Sequence, residues 1–208
     1  MVPLDFFSGS ATTAHSVFKS NIETSKNYKF ILVQIPEPIS EKSDAFKAGY
    51  KNICEIGKER IRRAGDEIIN KSSDNDLDIG FKVFKLDSSN LEKWEPDYNN
   101  IQQSLIVDEI KKDRSDEDLV YEIMLKYGIP LTLPIEQHDN IYSIGFGALI
   151  ICLDNNISKD IVNEILKFTN SSSISRVVFK DSGFKSDSDK TNVKQILNNN
   201  HIDEFITV

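Results

Sequence analysis

The stretch LDFFSGSATTAH, residues 4–15, decides how the first part of the chain folds. An apolar run ends at small residues around Gly9, and a helical pattern begins directly afterwards. Apolar side chains then recur at spacings of three and four, which predicts a helix over 13–22. Thr12 or Thr13 is placed to cap the start of this helix. The stretch therefore predicts a strand, a glycine turn and a helix in succession.

The residues on either side of this helix predict two parallel strands. Residues 2–7 form a short apolar run, and residues 30–35 form a second one that is broken only by Gln34 and bounded by prolines. Continuous apolar runs of this length are typical of interior strands in parallel sheets. Strand, turn, helix and strand within about 35 residues define a βαβ unit. A long helix with one apolar stripe is predicted to follow over 43–71.

A polar, turn-rich stretch at 70–79 predicts a boundary between two domains, 1–71 and 72–208. The second domain has its own alternation of strands and helices, which again predicts βαβ units. Its predicted elements are a strand at 80–87, a weak helix at 100–112, a helix at 116–127, an extended segment or edge strand at 129–136, a strand at 141–154, a helix at 158–169, a strand at 176–181, a helix at 189–199 and a short strand at 204–208.

The composition is that of an ordinary globular protein. Of 208 residues, 39% are hydrophobic and 28% are charged, and the formal net charge is −8. This excess of acidic residues does not supply the positive charge that binding along a nucleic-acid backbone requires. No apolar run approaches the roughly 20 residues of a membrane span, and no signal-peptide pattern opens the chain, so we expect a cytoplasmic protein. Cys54 and Cys152 lie far apart and are expected to be reduced and structural.

Other polar patterns carry weaker signals. The basic cluster KERIRR, residues 58–63, suits either a contact with DNA phosphates or a solvated helix face with i,i+4 ion pairs, and the second is favoured. The stretch DNDLDIG, residues 74–80, fits a calcium loop poorly, because its glycine comes one position late. The acidic run at 113–118 is typical of a helix start. The three histidines show no metal-binding spacing, and Ser182 lacks the surroundings of a hydrolase nucleophile.

Two interpretations of the glycine turn follow from the residues alone. Small residues between a strand and a helix allow backbone amides to approach a ligand, and the helix N-terminus favours negative or polar groups. The turn is therefore suited to an adenosine-type cofactor. The alternative is a capped helix after a buried strand, with no ligand. No P-loop lysine is present, and Gly9 is a single glycine where a dinucleotide fingerprint requires several.

A family resemblance favours the first interpretation. DFFSGSATTAH resembles the Asp-x-Phe-x-Gly-x-Gly-Thr-Thr motif of amino-group DNA methyltransferases. Further segments resemble, in the same order, the C-terminal part of the modification (Mod) subunit of type III restriction-modification systems. These segments are KFILVQIPEP, GYKNICEIGKERIRRAG, DIGFKVFKLDSSNLEKW, YEIMLKYGIPLTLPIE, IYSIGFGALIICLD and RVVFKDSGFKSDSDKTNVKQIL.

The resemblance implies an α/β fold, namely a partial Rossmann-like methyltransferase sheet followed by a smaller α/β domain for dimerisation or subunit docking. It implies S-adenosylmethionine as cofactor and adenine N6 in DNA as the methylated group. The implied partners are DNA, a restriction (Res) subunit and a second Mod copy. The family's Asp-Pro-Pro-Tyr motif is absent, since no two prolines are adjacent. We therefore expect a C-terminal portion that is inactive alone, or a docking module with a vestigial cofactor loop.

The resemblance assigns seven residues to the cofactor site: Asp5, Phe7, Gly9, Ala11, Thr12, Thr13 and Gln34. Phe7 and the backbone around Gly9 are implied to contact the methionine part of the cofactor. Ala11 stands at the family's second glycine, where its methyl group is expected to crowd the cofactor or restrict a positive-φ backbone. The paired threonines can cap the helix or reach the cofactor carboxylate.

Gln34 falls where related enzymes use an acidic residue on the ribose hydroxyls, and a glutamine binds a hydroxyl more weakly than a carboxylate does. Three of the assigned residues also have purely structural interpretations. Phe7 can be a core residue, Thr12 a helix cap, and Gln34 a group that satisfies the edge of the sheet.

Overall fold

The computed structural model describes residues 2–71, 77–91, 110–169 and 176–208. These residues form a mixed α/β protein that divides into two compact units, Met1–Val83 and Phe84–Val208. We call them unit 1 and unit 2. The sequence predicts a domain boundary after residue 71, whereas unit 1 extends to Val83.

Unit 1 contains the predicted βαβ arrangement. Its elements are β1 (Leu4–Asp5), α1 (Thr12–Thr24), β2 (Ile31–Leu32), α2 (Asp44–Lys47) and α3 (Ile53–Lys71). Strands β1 and β2 are parallel, with Leu4 opposite Ile31 and Asp5 opposite Leu32. The two predicted strands and the helix between them are thus confirmed.

The predicted long helix over 43–71 is wrong in one respect, because α2 and α3 are separate helices. Gly49 adopts φ of 100° between them, a conformation that a right-handed helix cannot contain. The predicted threonine cap is also wrong. The N-cap of α1 is Ala11, which offers no side-chain acceptor.

The core of unit 1 lies between α1, α3 and one face of β2. Phe18 from α1 and Ile61 from α3 are buried there, and Phe30 and Leu32 pack against them. Residues 77–81 also pack on this core: Ile79 lies against Gly65 of α3, and Phe81 contributes its ring. This packing explains why the unit continues past the predicted boundary.

Unit 2 contains a five-stranded sheet in the order β3-β4-β5-β6-β7. Its elements are α4 (Asp116–Lys126), β3 (Ile135–His138), β4 (Ile141–Ile144), β5 (Leu149–Cys152), α5 (Lys159–Phe168), β6 (Arg176–Phe179), a 3₁₀ turn (Asp181–Gly183), α6 (Asp187–Asn199) and β7 (Glu204–Thr207). Strands β3, β4 and β5 are antiparallel, whereas β5, β6 and β7 are parallel. The predicted βαβ alternation is confirmed for the parallel half.

Two predictions for this half of the chain are corrected. The apolar run 141–154 is a hairpin of two strands, because Gly145, Phe146 and Gly147 all adopt positive φ and reverse the chain. The described residues at 80–87 form no strand, since no neighbouring strand pairs with them and Leu86 is fully exposed. The predicted helix at 100–112 lies largely outside the described residues.

Apolar layers cover both faces of the unit 2 sheet. On one face, Val162 and Leu197 from α5 and α6 pack against Val177 and Phe179. On the other face, Leu119 and Ile123 from α4 pack against residues of β4 and β5. The sheet is therefore sandwiched between helices, as is expected for strands that are apolar on both sides.

Helix α4 begins with the predicted acidic cap and forms hydrogen bonds with Ser89 and Asn90. Ser115 and Asp118 form a reciprocal capping box at its start. Further along, Glu122 accepts hydrogen bonds from Ser89 Oγ and from the Asn90 backbone amide, both at 2.6 Å. Lys126 lies 3.1 Å from the same carboxylate. Burial opposes ionisation, but these contacts outweigh it and lower the pKa of Glu122 from 4.5 to about 2.

We expect the stability of unit 2 to depend on pH through Glu122. A carboxyl group with a lower pKa in the folded state stabilises the fold above its unfolded pKa, and this contribution is lost as the pH falls. The free energy of unfolding should therefore decrease between pH 4.5 and about 2, and Glu122→Gln should flatten that decrease in urea titrations. Glu164→Gln, which removes a carboxylate from an exposed pair with Lys167, should retain the wild-type pH dependence. Identical slopes for wild type and Glu122→Gln would contradict the assignment.

Candidate cofactor site

The turn after β1 is a compact loop with two residues in the left-handed conformation. Gly9 has φ of 51° and Ala11 has φ of 61°. The loop is tied to β2 because the Ser8 amide donates to the Val33 carbonyl at 3.3 Å. It closes on itself because the Ala11 amide donates to the Ser8 carbonyl at 2.7 Å. We call residues 6–11 the β1–α1 loop.

Gln34 connects this loop to the end of β2. Its side-chain oxygen accepts a hydrogen bond from the Gly9 amide at 2.8 Å, and its side-chain nitrogen donates to the Ile35 carbonyl at 3.0 Å. The Gln34 carbonyl in turn lies 3.5 Å from the Cys54 thiol of α3. The side-chain amide of Gln34 therefore links the end of β2 to the β1–α1 loop and fixes the position of Gly9 relative to β2.

Asp5 connects the end of β1 to the start of α1. One carboxylate oxygen accepts from the Thr13 hydroxyl at 2.6 Å, and the other accepts from the Phe7 amide at 3.1 Å. The Thr13 hydroxyl is thus directed towards β1. Thr12, the first residue of α1, is exposed. The structure brings all seven residues of the predicted site together in and around one loop.

Ala11 is accommodated by a glycine on the neighbouring helix. Ala11 is only 2% exposed, and a β-carbon at Gly57 of α3 would lie 3.5 Å from the Ala11 β-carbon and 3.3 Å from the Gly9 carbonyl oxygen. The methyl group of Ala11 therefore points into the space left by Gly57. The expected crowding of a cofactor by Ala11 does not follow from this geometry, and the methyl group does not prevent a positive φ, which is 61° at Ala11.

The outer side of the loop is open. A β-carbon at Gly9 would meet only the Phe7 carbonyl oxygen, at 4.0 Å. The Phe7 ring is 87% exposed, so the core interpretation of Phe7 is wrong. The first turn of α1 has no acidic residue and no side-chain cap. An open glycine, an aromatic ring and uncapped helix amides thus lie together, which is a suitable setting for a ligand with a carboxylate and a planar base.

Two residues that contact the site, Gly57 and Cys54, were not predicted from the sequence. Both lie in α3 and contact the loop or the end of β2. A signal for Gly57 was present, since an isolated glycine on the apolar stripe of a helix usually has a packing reason. The sequence could not indicate which backbone approaches it.

Other polar features of unit 1 lie elsewhere. A groove of about 350 Å³ is lined by His15, Tyr50, Ile56, Glu59, Arg60, Arg63, Ala64 and Glu67, none of which belongs to the predicted site. Within the basic cluster, Arg63 pairs with Glu59 at 2.7 Å, as expected for a solvated helix face with i,i+4 pairs. Among the described residues, no group of three or more acidic, histidine or cysteine side chains is arranged to hold a metal ion.

In unit 2, Cys152 is wholly buried, and burial raises the pKa of its thiol to about 11. Cys54 and Cys152 are both free thiols. The helices of the described segments are too short or too polar for a bilayer crossing.

Comparison with known proteins relates the chain to restriction-modification systems. It is 38% identical over 138 residues, 66% of its length, to the Mod subunit of the type III enzyme EcoP15I from Escherichia coli. It is 43% identical over 84 residues, 40% of its length, to the Mod subunit of StyLTI from Salmonella typhimurium. It is 34% identical over 83 residues, also 40% of its length, to the type II methyltransferase M.KpnI from Klebsiella pneumoniae. No family model matches the chain.

The chain is thus a relative of the modification proteins of restriction-modification systems. Within that class it is homologous to Mod subunits of type III enzymes, which confirms the resemblance found in the sequence. The matched residues span 20% of the EcoP15I subunit, 13% of the StyLTI subunit and 18% of M.KpnI. The chain therefore corresponds to a portion of a Mod subunit.

We predict that Ala11 and Gly57 are energetically coupled. Gly57→Ala should destabilise unit 1, because its β-carbon would lie 3.3 Å from the Gly9 carbonyl oxygen while the Ala11 methyl group, at 3.5 Å, fills the space beside it. This cost should exceed the gain of roughly 1 kcal/mol that alanine brings to a helix. In an Ala11→Gly background the cost should fall by about 0.5–1 kcal/mol, the size of coupling found between contacting residues. Urea unfolding of the wild type, the two single variants and the double variant measures this coupling free energy.

Gly65→Ala supplies the matched control. It is the same substitution in the same helix, but its β-carbon would meet Ile79 at 3.1 Å rather than Ala11. Its effect should be additive with that of Ala11→Gly. Equal coupling in both cycles would show that Ala11→Gly changes the whole unit instead of relieving a local contact.

Proposed function

We propose that this chain is the cofactor-binding portion of a type III Mod-type DNA methyltransferase, with S-adenosylmethionine as the methyl donor and adenine N6 in DNA as the acceptor. Unit 1 is then one part of a Rossmann-like methyltransferase sheet. The single observation that carries the proposal is the open β1–α1 loop in a chain homologous to Mod subunits. When bound, S-adenosylmethionine supplies an activated methyl group.

The residues of the loop divide into two groups with different roles. Gly9 borders open space, the Phe7 ring is exposed and the first turn of α1 has no side-chain cap, so these are the groups that would contact the cofactor. Asp5, Thr13 and Gln34 use their polar atoms within unit 1, so they position the loop. A carboxylate from the methionine part fits the uncapped start of α1, because no side chain of the N-cap satisfies those amides.

Methylation of DNA requires groups outside this sequence. A target base must leave the duplex before its amino group can react, and it is then held by hydrogen bonds and stacking. The family uses the Asp-Pro-Pro-Tyr motif for this purpose, and the sequence contains no adjacent prolines. We therefore propose that the chain binds the cofactor but does not methylate DNA alone. DNA, a Res subunit and a second Mod-type copy remain the proposed partners of the complete assembly.

A second candidate function is a docking module whose cofactor loop is vestigial. The observation that favours it is the internal use of Gln34, whose side chain is bound at both ends and leaves one acceptor position for a ribose hydroxyl. The two functions differ in whether the isolated chain binds S-adenosylmethionine.

Calorimetric titration with S-adenosylmethionine tests the proposed function. The wild-type chain should bind the cofactor, and Gly9→Asp should abolish binding, because it places a charged side chain in the open space beside the loop. Gly49→Asp is the matched control: Gly49 also has positive φ and open space around it, but it lies outside the loop, so binding should persist. No heat of binding at millimolar cofactor, from a chain that is folded by circular dichroism, would favour the docking module.

Gln34→Glu should strengthen cofactor binding. The carboxylate can still accept from the Gly9 amide, and its second oxygen becomes an acceptor for a ribose hydroxyl. Hydrogen bonds to charged groups exceed neutral ones by roughly 1 kcal/mol, so the dissociation constant should fall by about fivefold. Gln137→Glu adds the same charge to β3 of unit 2 and should leave the constant unchanged. Weaker binding by Gln34→Glu would show that the bond to the Ile35 carbonyl matters more than the ribose contact.

A further inference from the structure

A groove of about 350 Å³ lies between α1 and α3. His15 lines it from α1, Tyr50 lines it from the segment before α3, and the other lining residues belong to α3. None of them is one of the seven residues of the predicted cofactor site. Its volume is at the small end of ligand pockets, which hold roughly 300–1,000 Å³. We call it the α1–α3 groove.

The charges that line the groove leave one cation without a partner. The Glu59 carboxylate lies 2.7 Å from the Arg63 Nε atom, and the Glu67 carboxylate lies 2.5 Å from the Lys71 ammonium. Arg60 forms no ion pair or hydrogen bond with the residues that the structure describes. Its guanidinium group is therefore an uncompensated positive charge at the groove.

His15 and Tyr50 add two further hydrogen-bonding groups. The His15 Nε2 atom is buried, and among the described residues it has no hydrogen-bond partner. An unpaired buried polar atom costs roughly 1–3 kcal/mol, so a group that pairs with it is favoured. The Tyr50 hydroxyl accepts from Arg63 Nη2 at 3.5 Å, which leaves its own hydrogen available to an acceptor.

We propose that the α1–α3 groove binds a phosphate group. Guanidinium, imidazole and hydroxyl donors from three parts of the chain suit a tetrahedral oxyanion, and arginine is well matched to phosphate. Ile56 and Ala64 give the groove an apolar surface for the carbon atoms attached to the phosphate. That phosphate belongs either to a free phosphate ester or to the backbone of DNA. The inference does not depend on cofactor binding by the β1–α1 loop.

Nuclear magnetic resonance of the full chain tests the proposal through its histidines. The sequence contains three, and His15 is the one that lies in unit 1, whereas His138 and His201 lie in unit 2 and serve as internal controls. The variant His15→Gln identifies the His15 imidazole signals by their loss. Inorganic phosphate at constant ionic strength should shift these signals more than chloride does, and should leave the other two histidines unchanged.

A parallel titration with a short DNA duplex distinguishes the two sources of phosphate. A shift of the His15 signals by the duplex assigns the DNA backbone as the ligand. A shift by inorganic phosphate alone assigns a free phosphate ester.

Arg60→Ala should weaken phosphate binding, measured at the His15 signals, by at least about fivefold, because it removes the uncompensated charge of the groove. Arg62→Ala is the matched control. It is the same substitution in the same helix, but Arg62 does not line the groove. It should change the dissociation constant by less than about twofold.

Three outcomes would overturn the proposal. In the first, neither phosphate nor the duplex shifts the His15 signals beyond the effect of chloride, in a chain that is folded by circular dichroism. In the second, Arg62→Ala weakens binding as much as Arg60→Ala, so that the response reflects the net charge of α3. In the third, S-adenosylmethionine competes with phosphate at His15, so that the groove is part of the cofactor site. Failure of the cofactor to bind, with phosphate binding intact, would refute the proposed function alone.

Discussion

The close approach of the β1–α1 loop to helix α3 at Gly57 is the contact on which the rest of unit 1 depends. It allows a backbone with two left-handed residues, Gly9 and Ala11, to lie directly on a helix. Ala11 is tolerated in the left-handed conformation, which costs a non-glycine residue roughly 1–2 kcal/mol, because its methyl group is buried in the space that Gly57 leaves.

The hydrogen bonds around the loop make it rigid before any ligand arrives. Gln34 holds Gly9 from the side of β2, and Asp5 holds Thr13 and Phe7 from the side of β1. A loop that is already ordered loses little conformational entropy on binding, and this favours affinity. The side chains that occupy family motif positions therefore need not all touch a cofactor. Asp5 and Gln34 act by fixing the backbone of the loop.

Local patterns predicted the helices α1, α4, α5 and α6 and the parallel strands, since periodicity and capping residues act over a few positions. Patterns failed where the outcome depends on distant residues. The run at 80–87 alternates like a strand but has no partner, and the run at 141–154 turns back at Gly145. The residues of the site also divide into those that local patterns predict and those that depend on distant contacts. Six of its seven predicted residues are nearly contiguous, whereas Gly57 was missed because the loop that packs on it lies far away in sequence.

The burial of the strands in unit 2 can be compared with the burial of the strands in unit 1. The sheet of unit 2 has five strands and carries a helical layer on each face, so that the central strands β5 and β6 are almost completely buried. In unit 1, Phe30 and Leu32 pack on the helices, whereas Leu4, Ile31 and Val33 are between 42% and 53% exposed. The uncovered face is thus not a general property of how this chain folds. Among the described strands it is confined to unit 1, which contains the β1–α1 loop. Val2, Leu4 and Phe6 are each more than half exposed, and an uncovered group of apolar side chains of this kind is typical of an interaction surface.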